Sequence, residues 1–413
     1  MADQFTEELI ACHECDKIYR VEIIRPGATA SCSRCGAFLY KNIPGSLDRT
    51  LALYISAFIL FFIANVFPFL SVKFGGRIET NILVDSSWAL HELGMSELGF
   101  LVFLTSVGFP FIAITGMLYL LIPARFGQQV PAMGLVFRVV NAITPWSLVG
   151  VFMLGTLIAF VKLQDLVTVV AGTSVFALAA MMIVYSAARA SFDPRALWSV
   201  TPYKQPGAEI LNREDTDLIS CHTCGFIHVD NPDVHRCKRC NSALHHRITN
   251  SIQRTWALIF SAAILFIPAN IYPVMTLIRF GQGAPNTILS GVLHLIEDGM
   301  LGLAMIIFVA SIVVPVLKLI VLSFLLISIS RKSSWRPRDR TLLYRVTEVV
   351  GAWSMVDVFL VGLLSALVSL DALSTIRPGI GVIFFASVVV ITMIAAHSFD
   401  PRLIWDNTGE STV

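Results

Sequence analysis

Eight stretches of this chain are almost free of charge, and its polar residues gather into blocks between them. The apolar runs lie near 50–72, 98–122, 141–163 and 169–190, and again near 255–277, 299–329, 347–369 and 377–397. Each approaches the roughly 20 residues that an α-helix needs to cross a bilayer core. The pattern predicts an all-α polytopic membrane protein with eight spanning helices. Composition points the same way. Of 413 residues, 55% are hydrophobic and only 14% charged, and the mean hydropathy is +0.74. The first apolar run begins near Leu51, behind a polar segment with no apolar core of signal-peptide type.

The pattern is written twice. CHEC and CSRC (12–35) return as CHTC and CKRC (221–240), ANVFP (64–68) as ANIYP (269–273), and GM (94–95) at 299–300. WSLVGVFMLG (146–155) matches WSMVDVFLVG (353–362), SFDPRALW (191–198) matches SFDPRLIW (398–405), and Pro110 corresponds to Pro315. The offset stays near 205–209 residues, the mark of an internal repeat. The chain therefore divides into a first cysteine ribbon (1–45), a four-helix membrane unit (46–198), a linker (199–218), a second ribbon (219–248), a second four-helix unit (249–405) and a short tail (406–413). An even number of spans per half makes the two repeats parallel, related by an axis along the membrane normal.

Charge sets the orientation. Residues 1–49 carry six Lys and Arg, 199–254 carry seven and 331–345 carry six, against two in 71–96, one in 277–298 and one in 371–377. The positive-inside rule then places both termini and both ribbons in the cytoplasm.

All eight cysteines fall in CxxC pairs: Cys12/Cys15, Cys32/Cys35, Cys221/Cys224 and Cys237/Cys240. Knuckles separated by 16 and by 12 residues have zinc-ribbon spacing. Two knuckles supply four thiolates for a tetrahedral Zn²⁺, with no position left open for substrate. The two sites read as structural. Gly36 and Gly225 follow their knuckles, where a positive backbone angle is often required. Lys17, Arg34, Lys238 and Arg239 would offset the charge of the thiolates, and His222, His228 and His235 stand nearby. Disulfides fit poorly with a cytoplasmic ribbon. Iron, in a rubredoxin-like site, takes the same ligand set.

Ionisable groups inside a span are costly and by default mark a pathway or a paired site. Lys318 is the one charge between Asp298 and Arg331, and Asp357 interrupts WSMVDVF. Their first-half counterparts are Ala113 and Gly150. This asymmetry assigns the second half a task of its own. Ser311, one turn before Pro315, together with Ser354 and Thr392, would line a polar pocket with the two charges. The blander reading of Lys318 is a structural ion pair with Asp357. Lys162 and Asp165, in FVKLQD, are further candidates, or a snorkelling interfacial pair. Pro110 and Pro315 predict helix kinks. SFDPR reads as a helix stop at each half's end, with contact to the adjacent ribbon as a second role.

No phosphate loop, Ser/His/Asp arrangement or HExxH is present, so the chain reads as a non-enzyme. Basic residues beside a membrane point to anionic headgroups rather than nucleic acid. A proton-coupled transporter of a small amphiphilic solute fits the buried charges, and a redox or metal sensor fits the cysteines alone.

The duplicated CxxC ribbons, PAN before an aliphatic-Pro pair, TILSG (287–291), a lysine after VP, WSMVDVF and FDPRLIWD together resemble the paraquat-inducible protein A family, over nearly the whole chain. That family includes PqiA- and LetA-like proteins of Gram-negative inner membranes. The resemblance implies phospholipid transport between the two membranes, with a periplasmic MCE-domain tunnel protein of PqiB/LetB type as partner. It carries Lys318, Asp357 and Ser311 over as functional positions. On the leading reading Lys318 would contact a lipid phosphate or, with Asp357, serve in a proton relay.

Overall fold

The computed structural model describes residues 8–74, 77–164, 168–203, 205–207, 218–231, 234–279, 282–297, 299–367 and 374–408. Eight helices in it are long and apolar enough to cross a membrane: Ser46–Val66, Ser96–Arg125, Met133–Val161, Thr173–Ser191, Ser251–Ile271, Leu301–Ser330, Pro337–Ser365 and Gly381–Ser398. They are called the first to eighth spans below.

The first and fifth spans stop where proline chemistry requires it. Phe67, before Pro68, is extended (φ −86°, ψ 158°) and closes the first span. Tyr272, before Pro273, does the same for the fifth (φ −78°, ψ 149°). A residue preceding proline is pushed out of the helical region, so the repeated ANVFP and ANIYP motifs are helix terminators. The chain past each proline forms a strand, not the last turn of a span as its apolar character suggests. Leu70–Phe74 pairs with Arg77–Asn81 and Thr168–Ala171. Met275–Arg279 pairs likewise with Gln282–Asn286 and Ser374–Pro378. Each half thus carries a three-stranded antiparallel sheet at the end away from its ribbon. An added Cβ on Gly172 or Gly379 would strike the carbonyl of Pro68 or Pro273, which fixes glycine where the third strand turns back.

The third and seventh spans begin at Met133 and Pro337, well before the apolar runs near 141 and 347. Their amphipathic first turns are helical because the ribbons cover them. The fold resolves each as two helical pieces joined by a 3₁₀ turn, at Thr144–Trp146 and at Ala352–Met355. Pro110 of the second span and Pro315 of the sixth are buried and follow π-helical turns, Leu104–Gly108 and Val309–Val313. A π turn widens the helix just where proline removes a backbone donor and crowds the preceding carbonyl. The helix continues past each proline.

Each knuckle sits at the turn of a small hairpin. Leu9–Ala11 pairs with Ile18–Arg20, Thr29–Ser31 with Phe38–Lys41, and Leu218–Ser220 with Ile227–Val229. A single bridge, Arg236 to Ala243, frames the fourth. The residue after each knuckle has positive φ: Asp16, Gly36, Gly225 and Asn241. Glycine, Asp and Asn tolerate that region best.

Each ribbon reaches across to the opposite membrane unit as well as touching its own. The first ribbon docks on the second membrane unit: Arg34 stacks on Trp405 (4.8 Å) and Arg338 donates to the Ser33 and Arg34 carbonyls. The second ribbon docks on the first unit: Arg239 stacks on Trp198 (5.5 Å), and Arg138 donates to the Asn241 carbonyl. Gly134 lies so close to Cys240 that an added Cβ would sit 2.8 Å from its Cα. Where the units meet, Phe152 of the third span packs edge-on against Phe359 of the seventh (5.3 Å).

Candidate functional site

The eight cysteines converge into two buried groups, in each of which the four Sγ atoms lie within 4.8 Å of one another. Cys12–Cys35 and Cys15–Cys32 are 3.4 and 3.5 Å apart, and both closest pairs of the second group are 3.5 Å apart. These separations exceed a disulfide bond of about 2.05 Å. They suit thiolates around one ion at about 2.3 Å each, and four buried sulfurs with closed geometry could hold a metal structurally. Tyr19 Oη lies 3.1 Å from Cys32 Sγ, and His228 Nε2 3.4 Å from Cys237 Sγ, beside rather than within the ligand sets. His235 is exposed. The knuckle arginines Arg34 and Arg239 each stack on a tryptophan and so dock their ribbons.

A charged junction ties the ribbons to the second unit. Glu14, between the first two cysteines and 5% exposed, takes two hydrogen bonds from Arg345 (2.5 and 2.9 Å). Burial opposes its charge, but His13 and Arg345 outweigh that and hold the carboxyl down at about 2. Arg247 bridges Asp16 and Asp406, both at 2.6 Å. Asp400 accepts from the Arg402 backbone and side chain and from the Ile248 backbone. Burial works against the Asp400 carboxylate, and Arg402 outweighs it, so its pKa lies below the ordinary value. Burial and the Arg402 guanidinium push His222 down, so the neutral ring accepts from Arg402 Nη2 at 2.7 Å. SFDPR therefore does more than stop a helix. It also pins the start of each unit: Ser46 donates to the Ser191 carbonyl, as Ser251 does to that of Ser398, both at 2.8 Å.

Inside the second unit, polar side chains from the sixth, seventh and eighth spans meet. Lys318 is 2% exposed. Its ammonium donates to Thr392 Oγ1 at 3.1 Å and to the Gly351 carbonyl at 3.4 Å. Ser354 donates to that same carbonyl at 2.9 Å. Ser311, in the π turn, donates to the Ile307 carbonyl (2.6 Å) and to Asp357 Oδ2. Among the described residues, the Lys318 ammonium bonds neutral oxygens rather than Asp357. The structure so brings together Lys318, Thr392, Ser354, Ser311 and Asp357, between a π turn and a 3₁₀ turn. Lys162 belongs to the helix Val149–Gln164, with its side chain outside the described residues, and Asp165 lies outside them altogether.

Gly351 joins this set without any sequence signal beyond its place before WSMVD. A Cβ there would lie 2.7 Å from Lys318 Nζ, so only glycine leaves the ammonium its path to the carbonyl. In the first unit the corresponding positions carry no charge, though Ser106 and Ser147 stand where Ser311 and Ser354 do. Ala113 replaces Lys318, and Tyr185 stands where Thr392 does, packed edge-on against Tyr54 (6.1 Å).

The family model described as Paraquat-inducible protein A matches residues 47–201 and 252–409. The chain is 32% identical over 412 residues to the Intermembrane transport protein PqiA of Escherichia coli (strain K12), covering 97% of this chain and 96% of that protein. It is 30% identical over 400 residues to the Lipophilic envelope-spanning tunnel protein A of the same organism, covering 96% and 90%. A Probable intermembrane transport protein of Haemophilus influenzae is 26% identical over 406 residues, covering 96% of each. No solved structure matches the chain. The chain belongs to the paraquat-inducible protein A family.

Proposed function

We propose that the chain is the inner-membrane subunit of an MCE-type intermembrane phospholipid transport system. It would load or extract lipid through the polar site of its second unit and exchange it with a periplasmic MCE-domain tunnel partner. The printed names of the relatives, intermembrane transport and envelope-spanning tunnel, support the transport reading. The observation that carries it is Lys318, a cation sealed within an apolar span, held only by neutral oxygens among the described residues. Such a group keeps capacity for an anion or for a proton.

In this reading Lys318 meets the lipid phosphate. Asp357 with Ser311 forms a proton-exchanging pair that couples transport to the membrane gradient, and Lys162 and Asp165 extend the route. The chain acts as a transporter, not an enzyme. The first unit is the scaffold half of two parallel repeats, with domain limits at 1–45, 46–198, 199–218, 219–248, 249–405 and 406–413. The ribbons face the cytoplasm, where the basic loops lie, and each holds a structural Zn²⁺.

Purification from native membranes, with identification of co-purifying protein and lipid, tests the proposal. An MCE-domain protein and bound phospholipid are expected. A chain that purifies alone and moves a small solute in vesicles would instead favour stand-alone proton-coupled transport.

A further inference from the structure

A chamber lies apart from the Lys318 cluster, at the ribbon end of the first unit. It is a cavity of about 700 Å³ between the first ribbon, the second ribbon and the ends of the first four spans. Its inner wall is apolar and tightly buried: Tyr54, Met117, Phe137 and Val140 are each under a tenth exposed. Its rim is cationic. Among the described lining residues, Lys41, Arg189, Arg195 and Arg239 face a single carboxylate, Asp193, which is taken by Arg195 at 2.9 Å. Glu8 stands close to Arg195 and Arg239, and burial raises its pKa, which weakens its hold on them. Arg189, in the last turn of the fourth span, is exposed at the mouth, as is Phe38.

An apolar chamber with a positive rim, placed where a membrane span ends, matches one ligand shape. The geometry points to a binding site for an anionic single-chain amphiphile, a lysophospholipid or fatty-acid-like molecule. Its acyl chain would lie along Tyr54 and Phe137, and its head group would meet Arg189 and Lys41. The volume falls within the roughly 300–1,000 Å³ of small-molecule pockets, enough for one chain with a head and too little for a whole two-chain phospholipid. Charge selects the head: a juxtamembrane cluster of Lys and Arg attracts anionic lipid in proportion to its cations. The second unit repeats Arg195 as Arg402 but not Arg189, which corresponds to Ala396. The site is therefore separate from the Lys318 cluster and does not depend on its role in transport.

Native mass spectrometry of the full chain in neutral detergent tests it with three probes: palmitoyl-lysophosphatidylglycerol, palmitoyl-lysophosphatidylcholine and glycerol 3-phosphate. The anionic lysolipid should be retained one per chain, the zwitterionic one much less, and the chainless phosphate not at all. Removing two rim cations in Arg189→Gln/Lys41→Gln should weaken retention about tenfold or more. Equal retention of both lysolipids, binding of glycerol 3-phosphate alone, or full retention by the double variant would overturn the assignment. The wild-type probe series decides the matter even if the double variant fails to fold.

Discussion

Arg345, on the seventh span, grips Glu14, set between the first two cysteines, with Nη2 2.5 Å from Oε2. These residues are 331 positions apart and belong to opposite halves of the duplication. The same span carries Gly351, Ser354 and Asp357 one to three turns further on. The first ribbon is thus fastened to the helix that holds the polar site, while the second ribbon meets both units, through Trp198 of the first and Arg402 of the second.

Breaking that grip has a calculable cost. Arg345→Ala strands a carboxylate that is 6% exposed while Arg345 itself is 34% exposed. A fully buried pair loses about 3–5 kcal/mol on such a change. Solvent around Arg345 reduces this to about 2 kcal/mol. Thermal unfolding of the purified variant should show the loss, and Glu14→Gln/Arg345→Ala should recover part of it.

Dismantling one four-cysteine group should loosen the opposite half. In Cys12→Ser/Cys15→Ser the first ribbon loses two of its four sulfurs. Hydrogen exchange should then rise in 337–345 and 402–408, where Arg338, Arg345 and Trp405 meet that ribbon. Residues 133–140, which meet the second ribbon, should stay protected. Faster exchange near 133–140 instead would show that the ribbons dock on their own halves.

Asp400 gives the junction a pH signature. Its carboxyl lies below the ordinary value of 3.8 in the folded chain. A depressed carboxyl stabilises the fold above its unfolded pKa and loses that stabilisation as pH falls through the folded one. Wild type should therefore exceed Asp400→Asn in stability by a constant margin near neutrality. The margin should shrink once the pH drops below about 4. A margin that persists unchanged at lower pH would mean that the Arg402 contact contributes nothing.

Gly351→Ala tests the geometry of the polar site apart from its charge. The added methyl would meet the tip of a flexible side chain, so the ammonium should swing away from the Gly351 carbonyl and Thr392 rather than the helix unfolding. Transport should fall nearly as far as in Lys318→Ala, with thermal stability close to wild type.

Much of this was legible in the sequence, for identifiable reasons. Eight apolar runs and four CxxC pairs carry their meaning locally, in hydropathy and in ligand spacing. Lys318 and Asp357 stood out because charges are conspicuous in an apolar helix and lack first-half copies, and Ser311, Ser354 and Thr392 followed as hydroxyl groups placed to line a pocket with them. The sheets beyond Pro68 and Pro273 did not stand out, since their strands are as apolar as a span and only proline's effect on Phe67 and Tyr272 separates them. The starts at Met133 and Pro337 were hidden because burial under a ribbon, not hydropathy, makes those turns helical. The crossing of the ribbons is a tertiary choice: Arg34 and Arg239 each had a tryptophan available in either half, at 198 or 405. Gly351 carries no local signal of its role, because what it supplies is an absent methyl beside a side chain from another span.

The central claim is that Lys318 works in the passage of lipid rather than in holding the fold. Lipid transfer between inner- and outer-membrane vesicles should be measured for wild type, Lys318→Ala and Lys318→Arg, with membrane yield, zinc content and partner binding as controls. The account predicts that Lys318→Ala abolishes transfer while all three controls remain at wild-type level. Wild-type transfer by Lys318→Ala would contradict it.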